Sequence, residues 1–306
     1  MFPAASVIVF TVSAGAGYGL LILTAVAAPV GLFGGRADLV APAAALALVA
    51  IVTGLLSSTF HLARPWRAWR AISQWRSSWL AREGAAALAG LPPAALFVAL
   101  SWVGLWPRLA TAAGLLAAAL ALVTIFCTAK IYASLVPIAR WRSRWTIPVY
   151  FALAFLSGAL LLAALAGRGV TGQATFDWIA VAAILAGWTL KRRYWRDRPH
   201  EPLASPTGLK AQGRSRVLWA QDGAATFVHR EMLRPLAPAS RRAVRLVAEV
   251  LAFALPLALT GLAAVGPSAA SAFAAWTAAI SAVLGLGAER WLFFAEARHA
   301  SRAFYL

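Results

Sequence analysis

Apolar runs separated by short basic stretches fill the chain from end to end. A helix that crosses a bilayer needs about 20 mostly apolar residues. Eight segments answer to that test: 3–33, 39–60, 80–105, 109–136, 147–166, 176–190, 243–265 and 269–294. Only the sixth is short, and Trp178 and Trp188 near its ends are suited to anchor it at the two membrane interfaces. The pattern predicts an all-α polytopic membrane protein, a bundle of eight transmembrane helices forming a single domain over residues 1–306. No repeat of the soluble type and no second domain is visible. Small residues such as "AGAGYG" at 14–19 predict close helix packing. The stretch at about 191–245 contains Pro, Gly and Ser and is the one linker long enough to form an appreciable surface outside the membrane.

Composition agrees: 61% of the residues are hydrophobic and 12% charged, against ~25% charged in soluble domains. The net charge of +18 raises the question of nucleic acid, and the placement of the charges answers it. An even number of spans puts both termini, and the linkers after spans two, four and six, on one side. Those segments hold five, four, thirteen and three basic residues, 25 of the chain's 28, and leave Arg36, Arg108 and Arg168 on the other. The positive-inside rule then predicts cytoplasmic termini and a multi-pass protein of the bacterial inner membrane. The basic linkers face acidic lipid headgroups or another subunit, not nucleic acid. Residues 1–10 lack a positively charged start and lead into a stretch long enough to span, so the first segment is expected to be a membrane helix and not a signal peptide. The single cysteine, Cys127, excludes a disulfide framework, a structural zinc and a Cys-ligated iron–sulfur cluster within the chain.

Candidate chemistry is sparse. Glu83, Glu249 and Glu289 sit at span ends on the cytoplasmic side, and no acidic residue lies near the middle of a span. A transporter needs ionisable groups at depth, paired across the bundle, and the sequence offers no such trail. His61 ends span two, while His200, His229 and His299 fall in cytoplasmic segments. A transmembrane haem would need axial ligands within spans, so no haem and no metal site are expected. What remains is "SSTFHLARPWRAWRAISQWRSSWLAREG" at 57–84, with four tryptophans, five arginines, one histidine and one glutamate. The connection leaves and re-enters the membrane on one face, so His61 and Glu83 lie at similar depth. An imidazole donates and accepts hydrogen bonds, and a carboxylate takes or gives a proton. Those are the needs of a quinone exchanging two electrons and two protons. Taken singly, each residue has an ordinary reading. A histidine at a helix end is polar interface, and Glu83 faces the positive start of a helix or pairs with Arg82. Trp66, Trp69, Trp75 and Trp79 form an interfacial belt, Arg64, Arg67 and Arg70 snorkel to headgroups, and Pro65 opens a short interfacial helix. Their combination raises the functional reading.

"HLARPWRAW" followed by "SSWLAREG" resembles the membrane anchor subunit of the dimethyl sulfoxide reductase type, whose pattern runs His-Leu-Gly-x-Pro-x-Arg-Ala and then Ser-Ser-x-Leu-x-x-Glu. "TAKIYASLVPIARW" at 128–141, "FVHREM" at 227–232 and the closing "ERWLFF…FYL" are also similar to that family, which includes the anchors of sulfite dehydrogenases. The resemblance implies a subunit without a prosthetic group of its own, anchoring a molybdopterin catalytic subunit and an iron–sulfur electron-transfer subunit in membrane lipids. It exchanges electrons with ubiquinone or menaquinone as a mobile substrate. The family's quinone-site histidine and glutamate carry over to His61 and Glu83; Arg64 matches some relatives and not others, and one or more of Trp66, Trp69 and Trp79 are expected, on this chain's own pattern, to wall the pocket. Ala63 stands where the family has glycine. A docking face in the cytoplasm suits sulfite oxidation with quinone reduction; the alternatives are a menaquinol-oxidising anchor of a sulfoxide reductase and a polytopic transporter.

Overall fold

The computed structural model describes residues 3–60, 62, 64–167, 173–197, 237–265 and 268–299. Eight of its helices are long and apolar enough to cross a membrane, and no strand occurs among the described residues. In hydrocarbon each backbone N–H and C=O needs a partner within its own segment, which an apolar helix supplies. The spans are α1 (Ala5–Ala27), α2 (Val40–Thr59), α3 (Trp79–Val103), α4 (Pro107–Ala133), α5 (Thr146–Ala166) and α6 (Gln173–Arg196). Next comes α7, a rod made of Pro238–Glu249, a π-helical turn Val250–Ala254 and Leu255–Val265. The last is α8 (Ser268–Ala295). The chain is therefore a multi-pass membrane protein with all-α architecture.

Helices α1 and α5 form the centre. α1 touches α2, α4, α5 and α8, and α5 touches α1, α4, α6 and α8, so α2–α4 flank one side and α6–α8 the other. The central pair meets backbone to backbone. A Cβ added to Gly19 would lie 1.9 Å from the Ala154 carbonyl oxygen, and one added to Gly158 would lie 2.3 Å from the Gly19 carbonyl carbon. Part of the "AGAGYG" stretch thus packs as small residues in membrane bundles do.

Three spans differ most from their expected limits, and the first of them, α1, ends at Ala27 instead of near 33. α6 runs on to Arg196 instead of stopping near 190, and Lys191, Tyr194 and Trp195 within that extension are buried. A lysine after an apolar run reads as the membrane edge, but Lys191 turns into the bundle and finds a carboxylate there. α7 begins at Pro238, a residue whose missing N–H suits the first helical turn. Its π turn sets the Leu251 carbonyl to accept a 2.8 Å hydrogen bond from Ser281 Oγ. These helices leave residues 198–236, including "FVHREM", His200 and His229, outside the described part.

Candidate functional site

The connection between α2 and α3 is built for one end of the bundle. Pro65 starts a 3-10 helix, Pro65–Gln74, which presents Trp66 and Trp69 outward at 70% and 67% exposure, with Arg64, Arg67 and Arg70 also exposed. Its return is fixed by Arg82, whose Nε donates to the Trp75 carbonyl at 2.8 Å and Nη2 to the Arg76 carbonyl at 2.6 Å. Ser78 caps α3, its hydroxyl accepting from the Ala81 N–H at 3.4 Å. Trp79, at the first helical position, is the one pocket tryptophan that packs inward. Its ring meets Phe126 edge-on at 5.8 Å, with the Arg82 guanidinium 4.2 Å and the Lys130 ammonium 5.5 Å from its centre. His61 and Ala63 lie outside the described residues.

One turn further on, Glu83 faces the interior and is 4% exposed. Its carboxylate is hydrogen-bonded by the Thr128 hydroxyl from α4, not by Arg64, which stays exposed. Thr128 Oγ1 also lies 2.9 Å from the Thr124 carbonyl. A hydroxyl has one hydrogen and two lone pairs, so this pair accommodates both charge states of Glu83. Ionised, Glu83 accepts the Thr128 hydrogen. Protonated, it donates to Thr128, which then donates to the Thr124 carbonyl. No heavy atom need move between the two.

A second ionisable cluster lies at the same end of the bundle, between α6 and α8. Glu289 pairs with Lys191 across the two helices and accepts from its neighbour Arg290 Nε at 2.5 Å; the three side chains are 0–4% exposed. Aromatic rings surround the cations. The Lys191 ammonium sits 4.0 Å over Tyr194, and the Arg290 guanidinium 4.5 Å over Tyr150 and 4.7 Å over Phe293. Trp141 stacks on Phe293 at 5.5 Å and donates from Nε1 to the Phe293 carbonyl at 3.1 Å. Glu249 stays near the rim, paired with Arg192 and Arg245 at 3.3 Å each. Sequence reasoning singles out Glu289 as a span-end acid at the depth of Glu83 but misses its pairing with Lys191 and Arg290, and it misses Thr128. Lys191 reads as the start of a linker, Glu289 and Arg290 as interfacial neighbours, and a threonine in an apolar span carries no signal of its own.

The described parts of the family-like motifs therefore converge: "SSWLAREG" brings Glu83, "TAKIYASLVPIARW" brings Thr128 and Trp141, and "ERWLFF" brings Glu289, Arg290 and Phe293. Comparison with known proteins gives this convergence a class. The profile of the family described as DMSO reductase anchor subunit (DmsC) matches residues 1–291, and the chain belongs to that family. It is also 31% identical over 329 aligned positions to a sulfite dehydrogenase subunit of Allochromatium vinosum, an alignment covering 100% of this chain and 99% of the relative. The protein is thus a membrane anchor subunit of an oxidoreductase complex, a role that implies partner catalytic and electron-transfer subunits.

Proposed function

We propose that this anchor exchanges electrons between an iron–sulfur subunit and the quinone pool, in a complex whose molybdopterin subunit oxidises sulfite. The carrying observation is Glu83: a carboxylate buried at the end of the bundle that bears the exposed Trp66–Trp69 surface, held by one neutral hydroxyl and ready for either protonation state. Sulfite and water yield sulfate, two protons and two electrons at the catalytic subunit. The electrons pass through the iron–sulfur clusters, and quinone takes them with two protons to become quinol. In this reading His61 hydrogen-bonds a quinone carbonyl, Glu83 hands on protons, Trp79 shields the site, and Arg64 adds positive charge at its mouth. Trp66 and Trp69, too exposed to wall a pocket by themselves, are closed over by the docked iron–sulfur subunit. That docking face also includes the connections after α4 and α6, read in the sequence as the Lys130–Thr146 and Lys191–Arg245 linkers. The chain needs no haem, iron–sulfur cluster or metal of its own.

The sulfite preference is supported by the name of the Allochromatium relative and by the charge distribution, from which the positive-inside rule predicts a cytoplasmic basic end. The menaquinol-oxidising alternative uses the same residues in reverse. The test is made on the assembled three-subunit complex in membranes. His61→Ala and Glu83→Gln should lose sulfite-dependent quinone reduction by on the order of 100-fold, within the range for a lost acid–base group, while sulfite oxidation with a soluble dye and membrane assembly persist. Normal quinone-coupled rates in both variants reject the site. A reporter active only in the periplasm, fused near Gly208, should stay silent; activity there reverses the orientation and removes the argument for sulfite.

A further inference from the structure

Beside Thr128, a partly open cavity lies between α1, α4, α5 and α8. Ligand sites typically have apolar walls with a few polar groups that fix orientation. The walls here are of that kind, with Phe10, Val12, Ile125 and Leu153 among them. The polar groups are unusual in a single respect. Among the described residues, Arg290 Nη2 is a buried donor without a hydrogen-bond partner on a side chain lining this cavity, beside the Tyr18 and Tyr150 hydroxyls, whose hydrogen-bonding neighbours are Thr124 and Tyr132. Tyr18 and Tyr150 are 6% and 8% exposed and Arg290 is 3% exposed, so water outside the bundle does not serve them. Buried donors are nearly always satisfied in native proteins, and a buried guanidinium donor left open beside an apolar space calls for a ligand that accepts hydrogen bonds.

Charge narrows the choice. Lys191 and Arg290 share a single acid, Glu289, which leaves one positive charge beside an apolar space. A guanidinium donates only, so the ligand must offer acceptors and tolerate, or gain from, negative charge. Thr128 lines the cavity with the same side chain that bonds Glu83. Whatever ring lies in the cavity is therefore one hydroxyl away from a proton-exchanging carboxylate.

We propose that this cavity holds the quinone ring, with Arg290 and Tyr150 bonded to one carbonyl oxygen and the Thr128–Glu83 pair carrying protons to and from the other side. The assignment rests on the quinone reading above but places the ring deeper than a slot between the connecting tryptophans, so that His61 serves the proton path to Glu83 in place of the carbonyl contact given to it there. Two electrons arrive from the iron–sulfur subunit, two protons enter through Glu83 and Thr128, and the quinol leaves by the way the quinone came. Arg290 favours the reduced ring because electron density gained at the carbonyl oxygen strengthens a charge-assisted hydrogen bond. Gly15 keeps the space open: it lines the cavity, and a Cβ added there meets no atom within 4 Å.

The experiment uses the whole complex, with sulfite as donor and short-tailed ubiquinone and menaquinone analogues as acceptors. Gly15→Ile, which fills the cavity and breaks no ion pair, should raise the KM for the analogues at least tenfold. Arg290→Met should cut quinone-coupled turnover at least tenfold and Tyr150→Phe severalfold, each with dye-linked activity followed alongside. Unchanged KM in an assembled Gly15→Ile complex overturns the proposal. If Glu83→Gln is still impaired in that same assay, the quinone reading stands and the cavity assignment alone falls; if Glu83→Gln and His61→Ala are also normal, both fall. Photolabelling needs no variant. An azido-quinone analogue on the wild-type complex should label peptides of α1 and α5, displaced by excess unlabelled analogue. Label confined to residues 61–79, or displaced equally well by an excess of plain phospholipid, rejects the cavity as a quinone site.

Discussion

Glu83 and Glu289 are the same residue type, buried to within a few per cent of each other at the same end of the bundle, yet their surroundings differ in kind. Glu289 is held by two cations and shielded by a wall of aromatic rings. Glu83 has a single hydroxyl partner from a neighbouring helix. Burying an ion costs several kcal/mol, and a close opposite charge offsets much of that cost. Glu289 is accordingly fixed as an anion and ties α6 to α8, whereas Glu83 is stabilised in neither state strongly enough to be locked. Depth alone does not make a carboxylate reactive; the poverty of its partners does.

The comparison is broken most severely at the ion cluster. Glu289→Gln strands two cations in the interior, and the expected loss is about 3–5 kcal/mol, enough to deplete the protein from membranes. Immunoblots of the membrane fraction and thermal stability in detergent check this; a stable, fully assembled variant contradicts the structural role. Next in size is Glu83→Gln. It should assemble normally, because a neutral amide suits a site that already accepts the protonated acid. Its residual quinone-coupled rate should lose the pH dependence that the wild type shows, and a variant retaining the wild-type profile removes Glu83 from the proton path. Thr128→Val then sharpens the contrast by deleting the hydroxyl at almost constant volume. One lost hydrogen bond at about 1–1.5 kcal/mol corresponds to roughly a tenfold drop in coupled turnover, and Thr128→Ser should recover most of it. Equal rates for Val and Ser refute the two-state hydroxyl. The smallest effect on the anchor itself is expected from Trp66→Ala and Trp69→Ala: within about 0.5 kcal/mol for its own stability, as for ordinary surface substitutions. Retention of the iron–sulfur subunit through purification should nonetheless fall, and full retention moves the docking face elsewhere.

The spans are legible in the sequence because a lipid environment permits little besides long apolar helices. Glu83 is legible for a related reason: acids are so few that one beside an apolar run stands out. Its partner is not. Thr128 bonds Glu83 across 45 positions of chain, and a span threonine normally bonds its own helix, as Thr128 also does with Thr124. The Lys191–Glu289 pair is hidden by the same rule that predicts the orientation. Basic residues at span ends are usually bound for headgroups, and nothing local distinguishes the one that folds back. Trp66, Trp69 and Trp79 look alike in sequence; only the Ser78 cap and the neighbours Phe126 and Lys130 turn Trp79 inward.

The crossing of α1 and α5 at Gly19 and Gly158 also sets an order of assembly. Chains emerge N-terminus first, at about 5–20 residues per second, so α1 is in the membrane well before α5 exists to lock against it. The space between them acquires its last wall still later, when α8 inserts with Leu286 and Arg290. A nascent chain that has not yet reached α8 therefore has the Glu83–Thr128 pair but lacks one wall of the cavity that Thr128 lines. The wall that α8 supplies is the last part of this space to be built.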